Sequence, residues 1–88
     1  IENSGDAILF TEPNGKILSA NPAACKIFNM SEREIINLGR SGLVAEDPVR
    51  MKAMLQKREE QGFFQGELLM KRKGGEIFTA EISSSLFV

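Results

Sequence analysis

The sequence predicts an α+β domain, an antiparallel sheet with short helices packed on one of its faces. Three observations carry this reading. Short β-prone runs stand at both ends of the chain, helix-start signals cluster in the middle, and Gly-bearing turns separate the runs that would pair. The order is β-β-α-α-α-β-β, with room for one further helical turn before the last helix.

Residues 7–11 (Ala-Ile-Leu-Phe-Thr) form the first β-prone run. Pro13, Asn14 and Gly15 make the turn, since Pro presets φ while Asn and Gly tolerate positive φ. Residues 17–19 return as the second strand. Asn21-Pro22 then starts a short helix, with Asn as N-cap and Pro at the first helical position. Ala24, Ile27 and Phe28 give that helix one apolar face.

Ser31 and Glu34 spell a capping box, flanked by Met30 and Ile35 at the positions of a hydrophobic staple. Ile35, Ile36 and Leu38 supply the buried side of this second helix, and Gly39 is expected to end it. Asp47-Pro48 repeats the start signal for the longest helix, residues 48–60. Met51, Met54 and Leu55 form its apolar stripe with Val49 beside them, while Lys52, Lys57, Arg58, Glu59 and Glu60 read as its wet face. Gly62 closes it. The third strand covers residues 63–72, with Phe64, Leu68 and Met70 on one face. Gly74-Gly75 turns the chain into a fourth strand, residues 76–88, whose Phe78, Ala80, Ile82, Leu86 and Val88 share a face with Ser84.

Composition narrows function. At 88 residues the chain has room for one domain spanning 1–88. A domain of this size buries only ~60–65% of its unfolded surface, so any cavity must be modest. Acids and bases are interspersed to a net charge of −1, which argues against a nucleic-acid face and against a polybasic membrane surface. The absence of histidine removes the commonest general base and the commonest metal ligand. Cys25 is the sole cysteine, so no internal disulfide can form, and a reducing, cytoplasmic setting fits.

The joint order of these pieces resembles the PAS family. The family shows a Gly-bearing turn, then Ile, Asn, a small residue, Phe and a Ser-x-x-Glu segment; here stand Gly15, Ile17, Asn21, Ala24, Ile27-Phe28 and Ser31 to Ile36. It continues with an acidic residue opening the long helix, a Gly-x-Trp/Phe-x-Gly-Glu phrase, a basic strand end and a strand ending in small polar residues. Asp47, the segment Gly62 to Glu67, Lys71-Arg72-Lys73 and Ser83-Ser84-Ser85 match these. Asn29-Met30, Asn37 and Gly74 depart from positions where the family often has Gly, Gly and Asp, without threatening the turns.

The resemblance implies a five-stranded antiparallel sheet in spatial order 2-1-5-4-3. The sequence stops with the fourth strand, and its first four residues look like the tail of a flanking helix, so a fragment of a longer chain is expected. The vacant central position would leave two unpaired edges, which implies dimerisation or strand exchange; direct pairing of the first and fourth strands is the rival arrangement. The implied function is a cytoplasmic signal-sensing module. It would bind a small molecule or a partner and relay its state to an output domain, with a sensor histidine kinase of a two-component system as the expected host. A ligand-free interaction or dimerisation domain is the alternative.

The resemblance also points to an apolar pocket between sheet and helices. Its expected lining is Phe28, Ile35, Met51, Met54, Leu55, Met70, Phe78 and Ser84, within walls that include Ile8, Phe10, Ile27, Leu68, Ala80 and Ile82. Asn37, Arg40, Ser41 and Ser84 could orient a ligand. A fully packed core is the competing reading. Haem ligation by histidine is excluded, and a flavin adduct is disfavoured because Cys25 lies outside the Asn-Cys-Arg-Phe-Leu-Gln context. No cofactor, metal or catalytic residue is expected, and no enzyme activity. Asn21 and Glu34 read as caps, Lys71 to Lys73 as a solvated strand end, and Ser83 to Ser85 as serines without a base. Gly39-Arg40-Ser41-Gly42 lacks the Lys-Ser/Thr of a phosphate loop.

Overall fold

A computed structural model describes residues 6–86. Its elements are β1 (Leu9–Thr11), β2 (Ile17–Ala20), α1 (Pro22–Phe28), α2 (Glu32–Leu43), α3 (Pro48–Gln61), β3 (Phe63–Lys71) and β4 (Ile77–Ser85). The expected α+β class stands. The expectations for the first four residues and for Val88 lie outside the described residues.

The strands form two separate antiparallel hairpins, β1-β2 and β3-β4. Among the described residues the first and fourth strands do not pair, contrary to the rival arrangement. The hairpins close with the same backbone pattern. Glu12 N–H donates to Lys16 O at 2.8 Å and Gly15 N–H to Glu12 O at 2.9 Å; Arg72 N–H donates to Glu76 O at 2.8 Å and Gly75 N–H to Arg72 O at 2.9 Å. Gly15 and Gly75 occupy equivalent positions at φ 98° and 95°, a region where an L side chain is strained.

The core draws on every element. Ile17, Ile35 and Leu43 are its largest fully buried side chains, joined by Ala24, Phe28, Met54, Leu68 and Met70. Phe10 and Val49 face out, contrary to expectation, at 56% and 77% exposure. Leu9, opposite Ala20, takes the inward place in β1, and a register shift after Phe10 brings Thr11 opposite Ile17. Leu38 is also largely exposed, because the buried side of α2 is carried by Ile35 and, one turn past the break, Leu43.

That break is at Gly39, whose φ of 70° and ψ of 177° leave the helical region; the helix resumes over residues 40–43. The interruption frees Arg40 N–H to donate to Gly15 O at 3.0 Å, which ties α2 to the tip of the first hairpin. The outer edge of β3 is covered locally. Val44 bridges Met70, Ala45 N–H donates to Leu69 O at 2.9 Å, and the Glu46 carboxylate accepts from Leu69 N–H at 3.0 Å. A side chain thus replaces a missing ladder partner and blunts that edge. The edges of β1 and β4 that face away from their partners have no such cover among the described residues.

Candidate functional site

Between the two hairpins, with the inner faces of α2 and α3 as its floor, lies a cleft of about 850 Å³. Consecutive residues 79–84 line it, so β4 presents its edge as well as its inner face. Ala7, Ile8, Leu9 and Thr11 line the opposite side. Of the sequence-predicted lining residues, Phe28, Met51, Met54, Leu55, Met70, Phe78 and Ser84 all border the cleft. Ile35 does not. It is fully buried behind the cleft wall, because the staple position that fixes the start of α2 turns it into the core. Phe10 is absent from the walls for the reason given above, and of the polar candidates Arg40 and Ser84 are present while Asn37 and Ser41 are not.

The apolar side of the cleft is organised around Phe78. Its ring meets Phe28 edge-on, with centroids 5.8 Å apart and planes at 62°. The Arg72 guanidinium lies 3.9 Å from the Phe78 ring centroid, so the base of the basic cluster shields the aromatic from solvent. Lys73 docks the hairpin tip, its N–H donating to Phe28 O at 2.9 Å and its Nζ to Glu34 at 2.7 Å. The cluster at residues 71–73 is therefore largely engaged, with Arg72 and Lys73 holding the hairpin in place. Glu34 closes the capping box with Ser31 as well, and the Lys73 and Ser31 contacts hold its carboxyl below the usual range.

Asn21 does more than cap α1. Its Oδ1 accepts from Ala24 N–H and from Ile8 N–H, both at 2.9 Å, and its Nδ2 donates to Asp6 O at 2.8 Å. One amide thus sets the strand-to-helix corner and pins the approach to β1 along the rim of the cleft.

The polar side of the cleft was not visible in the sequence. Arg58, expected on the wet face of α3, is buried at 8% exposure. Its Nη1 donates to Ser84 Oγ at 3.0 Å and its Nη2 reaches Pro13 O at 3.5 Å. It therefore touches both hairpins. Arg40 Nη1 donates to the same Pro13 carbonyl at 3.3 Å. Burial, and then the neighbouring Arg58 charge, holds Arg40 below the usual guanidinium range. A signal did exist: Arg58 lies four residues after Met54 and seven after Met51, the spacing of one helix face. Five consecutive polar residues from Gln56 to Glu60 masked it.

Antiparallel strands with helices packed against them over an apolar cleft are the arrangement expected from the sequence, and the family comparison agrees. A PAS domain family model matches residues 5–88. The chain belongs to the PAS domain family. Among solved structures, a domain of the sensory box sensor histidine kinase/response regulator from Geobacter sulfurreducens is similar, with a TM-score of 0.79 at 24% identity. The alignment covers 98% of this chain and 76% of that one, and at this identity the likeness is one of fold. No curated protein sequence matches significantly.

Proposed function

We propose that the chain is a signal-sensing PAS module that holds a small molecule in the cleft between its hairpins and relays occupancy to an attached output domain, a sensor histidine kinase. The cleft carries this reading. Its volume of about 850 Å³ lies within the ~300–1,000 Å³ typical of small-molecule sites, and it joins an apolar wall to a few convergent polar groups. The relay would work by differential affinity, since a guest shifts only an equilibrium whose two states it binds unequally.

The reading assigns no catalysis to the chain. Ser84 accepts a hydrogen bond from a guanidinium, which does not activate a hydroxyl as a nucleophile. It places the domain in the cytoplasm, in keeping with its single cysteine; among the described residues no helix is long and apolar enough to cross a membrane. It further includes a homodimer, because the unpaired edges of β1 and β4 and exposed Phe10, Leu18, Phe63 and Ile77 offer surface for a second copy. The alternative, a ligand-free interaction domain, rests on that same surface.

Native mass spectrometry of the intact chain separates the two. An added mass that disappears on denaturation supports the sensor. A dimer without added mass supports the interaction domain. A bare monomer counts against both the dimer and a resident ligand.

A further inference from the structure

Among the described residues, Arg58 and Arg40 form a cationic pair without a counter-charge. Among the described residues the ion pairs are Arg50 with Glu46, Arg72 with Glu76 and Lys73 with Glu34, and none involves either of the two arginines. Asp6 and Glu81 border the same cleft, and both are exposed and outside ion-pair distance of the pair. The Nε of Arg58 is buried with no hydrogen-bond partner, although the group is an obligate donor. The remaining contacts are neutral oxygens, Pro13 O being shared by both guanidiniums and Ser84 Oγ serving Arg58 alone. A charged group this far from water ordinarily carries an opposite charge.

We propose that the Arg40–Arg58 pair is the head-group site of the cleft, taking the carboxylate or phosphate oxyanion of an organic ligand whose apolar body lies against Met51, Met54, Leu55 and Phe78. This assignment rests on the sensor reading and specifies its ligand class. A planar guanidinium presents parallel N–H donors that match two oxygens of such an anion. Ser84 is placed to assist: its Oγ accepts from Arg58, which leaves its own hydroxyl proton free for the same anion. The anion would draw Arg58 away from Pro13 O, the longer of its two bonds, so that occupancy acts on the link between α3 and the first hairpin.

Titration calorimetry of the intact protein with sodium octanoate, octyl phosphate and octanamide tests this. The three share one apolar chain and differ in head-group charge. At least one anion should bind roughly tenfold or more tighter than the amide, the margin of a charge-assisted hydrogen bond. Whichever anion is preferred identifies the head group as carboxylate or phosphate. Arg58→Gln should erase that preference, bringing the anions down to the affinity of octanamide. Arg40→Gln, at a partly buried position, should weaken the preference and serves if the Arg58 variant does not fold. Equal affinity for all three overturns the head-group assignment and leaves the sensor reading standing. Anion preference retained in both variants overturns it too. Binding of none of the three overturns the assignment together with the ligand-binding half of the sensor reading.

Discussion

Hairpin β1-β2 pairs strands of three and four residues, whereas β3-β4 pairs nine with nine. Both turn on the same five-residue pattern, yet their surroundings differ. The β3-β4 register runs unbroken from Phe63–Ser85 to Lys71–Ile77, and its turn glycines meet nothing within 4 Å of an added Cβ. The shorter hairpin has a shifted register, and its tip is enclosed: a Cβ on Gly15 would lie 3.2 Å from the Arg40 guanidinium. A two-stranded hairpin is marginal by itself, and three pairs are too few to hold one. The short hairpin is therefore positioned from outside, by Ile17 and Ala20 in the core, by Asn21 at its corner and by Arg40 at its tip. The long one largely positions itself.

The largest expected effect comes from removing a core anchor of the short hairpin. Ile17→Ala should cost about 2–5 kcal/mol, because the site is enclosed and cannot collapse around the deleted atoms. Urea unfolding followed by circular dichroism measures it, and suits a chain with no Trp or Tyr to report by fluorescence. A loss below that of a half-buried residue such as Ile82 would contradict the idea that the short hairpin hangs on this side chain.

A sharper comparison uses the two tips. Gly75→Ala should cost about 1–2 kcal/mol, the strain of a side chain at positive φ. Gly15→Ala carries the same strain and must also displace Arg40, so it should cost more. Equal losses would show that the Arg40 contact does not matter to the tip.

Acid provides the mildest test. The Glu46 carboxyl sits below its usual range, chiefly because it accepts from Leu69 N–H, with Asp47 N–H and Arg50 assisting. Since the folded value is lowered, its contribution is complete above the ordinary carboxylate value of about 4.3 and fades as pH falls through the lowered one. Glu46→Gln should therefore be less stable than the parent at neutral pH, with the gap closing in acid. A gap that stays constant down to pH 2 would mean that the charge on Glu46 plays no part in covering the edge of β3.

Local chemistry explains what could be read in advance. Asn21-Pro22, Ser31 with Glu34, Asp47-Pro48 and the turn glycines each specify a cap or turn within a few residues, and each stands where expected. Long-range placement was less legible. The covering of the outer edge of β3 by residues 44–46 is a long-range contact, and Gly39 reads as a helix end until the following turn is seen to resume. Phe10 carries the residue type of a core side chain and faces out, since its neighbour Leu9 takes the inward place of β1. In the cleft, the apolar lining was what the family resemblance implied, and apart from Ile35 and Phe10 those residues border it. Arg58 was not expected there, because an arginine among charged neighbours is ordinarily solvated, and only tertiary packing shows that its head is enclosed.

The split sheet has a mechanical consequence. A hydrogen-bonded ladder fixes neighbouring strands at about 4.8 Å and resists their separation. Between β1 and β4 that restraint is missing among the described residues, and the polar span from one hairpin to the other is a single guanidinium reaching Pro13 on one side and Ser84 on the other. Among the described residues, side chains rather than backbone link the two hairpins.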